Sequence, residues 1–339
     1  MGFVINNPSS YWPGNRIPFE INGADFPAGS QNRQIIQNAI NTWNNTGAVQ
    51  LVARNGDPDF VVFRRHPNAC QTSVGRKGGG QDILCAVGSG FGAPSVMHEI
   101  GHSLGFYHEQ QRPDRDSFVT VDPSVLNSVN FSIPDVGLIV GPYDCVSIMH
   151  YPVISGQLSN KPAACPTIGQ SSQPSALDIQ TANWLRQPVQ TIQSAAFPNV
   201  YLRMDGNGVT QFAGPGAGTV NCQFGFGPWE QFRIAPQGNG TVVITSAVFR
   251  NVCLRLDGSG VNQFAPNGAG TVNCQFGAQV WEKFKLEQQG DGSVAISSVS
   301  FPNVYLRMDG GGVTQFAGSG AGTVNCQHGA NIWEKFIIS

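Results

Sequence analysis

No stretch of the chain approaches the ~18 consecutive apolar residues that a helix needs to cross a bilayer, so a helical membrane protein is excluded. Charge is also scarce. With 12% charged residues and a formal net charge of −2, no basic or acidic surplus draws the chain to nucleic acid or an anionic membrane, and neither is expected as a partner. The eight cysteines include no C-x-x-C pair, which argues against a cysteine-built zinc site. The first twenty residues are mixed and polar, without the apolar core of a secretory leader, and the sequence is expected to be a processed, active form with no inhibitory pro-segment.

Histidine is also rare, with six in all, yet three of them fall in one short stretch, His98-Glu99-Ile100-Gly101-His102-Ser103-Leu104-Gly105-Phe106-Tyr107-His108-Glu109. On a helix, His98 and His102 are four residues apart and project from the same face, one turn above the other. Gly105 can take the left-handed conformation that ends the helix and brings His108 back as a third imidazole. Glu99 lies between the first two and is the candidate general base. Three neutral imidazoles with a position left for water imply one catalytic Zn2+. The downstream Ser147-Ile148-Met149-His150-Tyr151 has the form of a methionine turn that floors such sites, and His150 within it is expected to make a structural hydrogen bond.

HEIGHSLGFYHEQQRPDRD together with SIMHY resembles the astacin family of metzincin metallopeptidases. Tyr11 to Phe19 is similar to the start of the family's mature enzyme, Arg112 to Asp116 to its post-zinc segment, and Ser175 to Ile179 to its closing helix. The resemblance implies an α+β catalytic domain in which His98, His102 and His108 bind zinc and Glu99 is the base. It further implies that Tyr151 is an additional metal ligand that stabilises the transition state, that Met149 lies under the metal, and that Glu109 anchors the trimmed N-terminus. Cys145 departs from the pattern, standing where many members carry an aromatic residue.

The cysteines divide four and four between the halves of the chain. Four allow three connectivities, and local pairing, Cys70–Cys85 and Cys145–Cys165, is expected because both bridges close short loops beside the cleft. Such bridges imply an oxidising compartment and a secreted protein. Periodicity predicts a helix over Gln31 to Asn44, strands over Val49 to Ala53 and Phe60 to Arg64, a zinc helix from Pro94-Ser95, and a last helix over Ala176 to Arg186. Ser73 to Arg76 is a candidate edge strand whose free backbone groups could pair with an extended peptide.

Beyond Gln187-Pro188 the composition changes to repeats: FPNVYLRMDG at Phe197, FRNVCLRLDG at Phe249 and FPNVYLRMDG at Phe301, spaced by 52 residues. Each copy carries pieces of four strands, in the first at Val200 to Met204, Thr219 to Gln223, Glu230 to Ile234 and Val242 to Ser246. Four strands in each of three copies is the pattern of a β-trefoil. The last copy stops short of its fourth strand, and Thr191 to Ala195, ahead of the first, is expected to supply it. The expected organisation is a metallopeptidase domain over residues 1–187 and an all-β trefoil over 188–339. GxGTVNCQ followed by WEQF or WEKF is similar to fascin-like and actin-crosslinking trefoils, and the lectin Q-x-W pattern is absent. Trp229, Trp281 and Trp333 are read mainly as packing residues, with sugar stacking as the alternative. Cys222, Cys274 and Cys326 are read as buried fillers, with a Cys253–Cys274 bridge as an alternative.

The expected function is zinc-dependent endopeptidase, acting on protein or peptide substrates, with the trefoil directing it to a substrate or surface through a glycan or protein ligand. The competing expectation makes the trefoil a carbohydrate- or protein-binding, crosslinking module served by an auxiliary protease. Zinc-dependent hydrolysis of a non-peptide bond is a third.

Overall fold

The computed structural model describes residues 2–86, 92–169 and 171–339. The chain divides into two compact units, Met1–Ile5 with Ser9–Gln187, and Asn6–Pro8 with Pro188–Ser339. Among the described residues no helix is long and apolar enough to cross a membrane.

In the first unit the order is β1 (Phe3–Ile5), β2 (Arg16–Ile21), α1 (Gln31–Asn45), β3 (Gln50–Ala53), β4 (Phe60–His66), β5 (Gln71–Thr72), β6 (Gly80–Ala86), α2 (Ala93–Leu104), β7 (Val119–Val121), β8 (Gly137–Ile139), β9 (Leu158–Asn160) and α3 (Ala176–Arg186). Ser30 caps α1 by accepting a hydrogen bond from the Arg33 N–H, and Ile36, Ala39, Ile40 and Trp43 form its buried face. The indole N–H of Trp43 donates to the Met97 carbonyl at 3.0 Å, so α1 fixes the position of α2 from behind. Five strands form one sheet in the order β3-β2-β4-β6-β5, parallel throughout except where β5 runs against β6.

Two expectations fail around β5. The edge strand is only Gln71–Thr72, because the next N–H groups are already used: Gly75 donates to His102 O at 2.8 Å and Arg76 to Ser10 O at 2.7 Å. The segment Ser73 to Arg76 therefore braces α2 instead of extending the ladder. Cys70 and Cys85 are also not bridged. The β5–β6 register, Gln71 opposite Leu84, sets them directly across from each other, yet both are free thiols in hydrogen-bonding contact, with the Ala86 N–H donating to the Cys70 sulfur at 3.4 Å. Cys145 and Cys165 do form a disulfide.

The second unit holds β10 (Gln190–Ser194), β11 (Val200–Asp205), β12 (Gly218–Phe224), β13 (Gln231–Pro236), β14 (Val242–Ser246), β15 (Val252–Asp257), β16 (Thr271–Phe276), β17 (Lys283–Gln288), β18 (Val294–Ser298), β19 (Val304–Asp309), β20 (Gly322–His328) and β21 (Lys335–Ile338). It is all-β, with a barrel-like sheet whose pairing repeats. The hairpins β11–β12, β15–β16 and β19–β20 share one register, and β13–β14 and β17–β18 share another. β21 finds its corresponding partner in β10, with Ile192 opposite Ile338 and Ser194 opposite Phe336, so the last repeat is completed from the start of the unit. The core is threefold in composition: Leu202, Leu254 and Leu306 with Phe232, Phe284 and Phe336 are all fully buried. Cys222, Cys274 and Cys326 are buried free thiols, as is Cys253, so no Cys253–Cys274 bridge forms.

Candidate active site and metal centre

Pro94 sits in the first turn of α2, where its missing N–H costs nothing, and Gly105 closes the helix at φ 116°. The chain then reverses through the Phe106 N–H, bonded to Gly101 O at 3.0 Å, and delivers His108 beside the helix. The Nε2 atom of His108 lies 3.1 Å from that of His102 and 3.1 Å from that of His98. Three nitrogens held tetrahedrally by zinc, at ~2.0–2.1 Å each, would stand about 3.3 Å apart.

The other ring nitrogen of each histidine decides the protonation state. Nδ1 of His98 bonds Ile148 O at 2.8 Å, that of His102 bonds Phe106 O at 2.7 Å, and that of His108 bonds the side-chain oxygen of Gln111 at 3.0 Å. A carbonyl oxygen only accepts, so each Nδ1 carries the proton and each Nε2 presents a lone pair. Burial also favours the neutral form, lowering the pKa of His98, that of His102 to about 3, and that of His108 far down. Three lone pairs aimed at one point repel unless a cation lies among them. These residues fit a metal ion, and among the described residues they form a cluster that could hold one.

Glu99 is 4% exposed, and its Oε2 has no hydrogen-bond partner. Burial raises its carboxyl to about 8. A buried carboxylate oxygen left unpaired on the helix that also carries His98 and His102 is a candidate to take a proton. The Tyr151 ring lies 4.5 Å from that of His108 and 6.2 Å from that of His98, and burial raises its hydroxyl to about 12, keeping it a hydrogen-bond donor. Met149 is buried against Gly101, where a Cβ would come within 2.4 Å of its sulfur, so the methionine turn closes directly on the histidine helix. His150 bonds Tyr143 at 2.7 Å and Tyr151 O at 2.7 Å, which occupies both of its ring nitrogens.

Glu109 is fully buried and accepts from the Asp144 N–H at 2.8 Å and from Arg112 at 3.1 Å. The terminal partner expected for it, Met1, lies outside the described residues.

Three residues that hold the site were not singled out from the sequence. Gln111 orients His108. Asp178, at the start of α3, receives the Ser147 hydroxyl at 2.6 Å and the N–H groups of Ile148 and Ser175 at 2.9 Å each, clamping the methionine turn to the closing helix. Asp178→Ala should lower stability by about 3–5 kcal/mol, because buried donors to a charged acceptor are left unpaired; an unchanged denaturant midpoint would remove this role. Gly169, at φ 51°, has a Cβ position only 2.2 Å from the Tyr151 carbonyl carbon. Gly169→Ala is expected to push the Tyr151 backbone aside, costing about 1–3 kcal/mol and reducing kcat; thermal unfolding and kinetics read both effects.

Three convergent ring nitrogens, an unpaired buried carboxylate and a methionine turn beneath them are the parts of a metallohydrolase centre. The chain belongs to the astacin family of peptidases, whose profile matches residues 4–187. It is 31% identical over 187 residues to zinc metalloproteinase nas-4 of Caenorhabditis elegans, covering 51% of this chain and 58% of that protein. It is 32% identical over 221 residues to human Tolloid-like protein 2, covering 56% of this chain and 21% of that protein. Among solved structures it is similar to high choriolytic enzyme 1, a hatching enzyme zinc-protease of the medaka Oryzias latipes, at 30% identity and a TM-score of 0.47, covering 52% of this chain and 94% of that one. The chain thus spans less than two thirds of the length of the first two relatives.

Proposed function

We propose that residues 1–187 form a zinc-dependent endopeptidase domain acting on protein or peptide substrates, and that residues 188–339 form a β-trefoil that directs it to a substrate or surface. The observation that carries the first reading is the convergence of the three Nε2 lone pairs of His98, His102 and His108, with the unpaired Oε2 of Glu99 on the same helix as the first two. Bound there, zinc supplies Lewis acidity, making water more acidic and polarising a peptide carbonyl. Glu99 takes the proton of the attacking water and passes it to the departing amine, as a general base and then a general acid. Tyr151, besides serving as a further ligand, donates its O–H to the carbonyl oxygen as charge develops there. Gln111 and the carbonyls of Phe106 and Ile148 keep the three rings in the ligating tautomer throughout.

The Cys145–Cys165 disulfide supports an extracellular setting, since such bonds persist in oxidising compartments. The threefold pairing pattern, with β10 completing the last repeat, supports the trefoil. The test of the activity is digestion of casein and of end-blocked peptides. Internal cleavage should stop with 1,10-phenanthroline and return with zinc; cleavage that persists in the chelator would overturn the reading.

A further inference from the structure

The second unit takes in three residues from the first part of the sequence, Asn6–Pro8. Asn6 meets Asn251 there: the Asn251 N–H donates to the Asn6 carbonyl at 2.8 Å, and the Asn6 side-chain amide donates to Asn251 Oδ1 at 3.0 Å. Both residues are buried, Asn6 at 1% and Asn251 at 2% exposed.

The threefold repeat provides an internal comparison. Asn199, Asn251 and Asn303 occupy the same turn at φ 61°, 56° and 59°, and their carbonyls accept the N–H groups of Gly225, Gly277 and Gly329 at 2.7, 2.7 and 2.8 Å. Asparagine tolerates that left-handed conformation, so the turn by itself accounts for the residue type in every copy. It does not account for the burial of Asn251, because Asn199 and Asn303 are exposed. The sequence departs from its own repeat at the same place. The second signature differs from the other two at three positions, and two of them flank this turn: Arg250 stands for Pro198 and Pro302, and Cys253 for Tyr201 and Tyr305. One repeat of the three is specialised to receive Asn6.

The residues just before Asn6 are β1, which the first unit sets behind its metal centre. Ile5 N–H donates to Gly105 O at 2.8 Å, Tyr107 N–H donates to Phe3 O at 2.8 Å, and the Tyr11 hydroxyl donates to Ile5 O at 2.8 Å. The first two bonds bracket Phe106, whose carbonyl orients His102 and which lies two residues before His108. A three-residue strand frays from an unheld end, and the Ile5–Asn6 peptide bond ties this end to Asn251. We propose that Asn251 is a positioning residue for the metal centre: by holding Asn6 it keeps β1 seated against the segment that orients His102 and delivers His108. The proposal rests on the reading of the first unit as a zinc peptidase and gives the second unit a part in catalysis besides targeting.

The test compares Asn251→Gly and Asn6→Ala with Asn303→Gly, all in the full chain. Glycine keeps the positive φ and the backbone bonds of the turn, so Asn251→Gly removes the acceptor for Asn6, and Asn303→Gly makes the same change in an exposed copy. Asn251→Gly and Asn6→Ala should each raise the zinc dissociation constant, titrated in a metal buffer, by about tenfold, the effect of one lost buried hydrogen bond. Amide exchange at Ile5 and Tyr107 should quicken by a similar factor, and at limiting zinc kcat for a short blocked peptide should fall with KM unchanged. The double variant should be no worse than either single one, since both remove one contact. Asn303→Gly should match the parent throughout. A parent-like zinc dissociation constant in Asn251→Gly, or an equal shift in Asn303→Gly, overturns the proposal. A parent chain that binds no zinc contradicts the peptidase reading instead, and parent-like exchange at Ile5 and Tyr107 in Asn251→Gly then overturns the proposal separately.

Discussion

Replacing Glu99 by Gln should lower kcat/KM for an internal peptide bond by ~10³-fold or more while the protein keeps its fold and its zinc. The two side chains have the same shape, and Glu99 is not among the three groups whose nitrogens converge, so metal content is expected to be unchanged. What is lost is the ability to accept a proton at Oε2, which burial leaves without a competing partner. The raised pKa, about 8, belongs to a carboxyl with no nearby cation; a divalent ion among the imidazoles favours the charged form and returns the carboxylate to the basic state that catalysis requires. The check is paired: steady-state kinetics and zinc stoichiometry on the same preparation. Near-normal rates would refute the assignment of the base, and loss of zinc would show that Glu99 supports the site structurally.

The second large effect is acid lability of the first unit. His98, His102 and His108 all have native pKa values below the ordinary 6.5, and His102 falls to about 3, with burial the leading cause in each. Below pH 6.5 the unfolded chain binds protons that the native imidazoles refuse. The stability these groups contribute is therefore fully present above that pH and is lost as pH falls toward the native values. Each histidine whose native form stays neutral costs up to about 1.4 kcal/mol per pH unit in this window, and His102, held to about 3, does so across all of it. Bound zinc deepens the effect, because the same nitrogens exchange metal for protons. Unfolding midpoints measured from pH 7.5 to pH 4.5, with zinc content followed by dialysis, should fall together and steeply below about pH 6.5. A flat midpoint across that range would contradict the lone-pair assignment.

What the sequence made legible was local. His98, Glu99 and His102 are positioned by helical periodicity alone, Gly105 by the one conformation that lets His108 return, and α3 over the span expected for it, Ala176–Arg186. The supporting groups depend on partners far along the chain. Asp178 reads as an ordinary first-turn acid of a helix, and only the fold brings it to Ser147 and Ile148. Gly169 is one glycine among 42 until the Tyr151 backbone is seen against it.

Arg203, Arg255 and Arg307 alternate along strands as surface charges do, yet each is buried between a glutamate and a tryptophan brought in from a turn further along its repeat. The tryptophans read as packing residues do pack, each against an arginine and a phenylalanine. The Cys70–Cys85 bridge is expected from local pairing across a short loop, and Ser73 to Arg76 is the candidate edge strand within that loop. The β5–β6 register sets the cysteines opposite each other, and only the fold shows that Gly75 and Arg76 spend their N–H groups on His102 and Ser10.

The measurement that bears most directly on the whole account is the metal content of the purified, chelator-untreated protein by elemental analysis, compared with His102→Ala. One zinc ion per chain is expected, lost in the variant together with peptide cleavage. A parent protein without transition metal, or a variant that keeps its full complement, would contradict it.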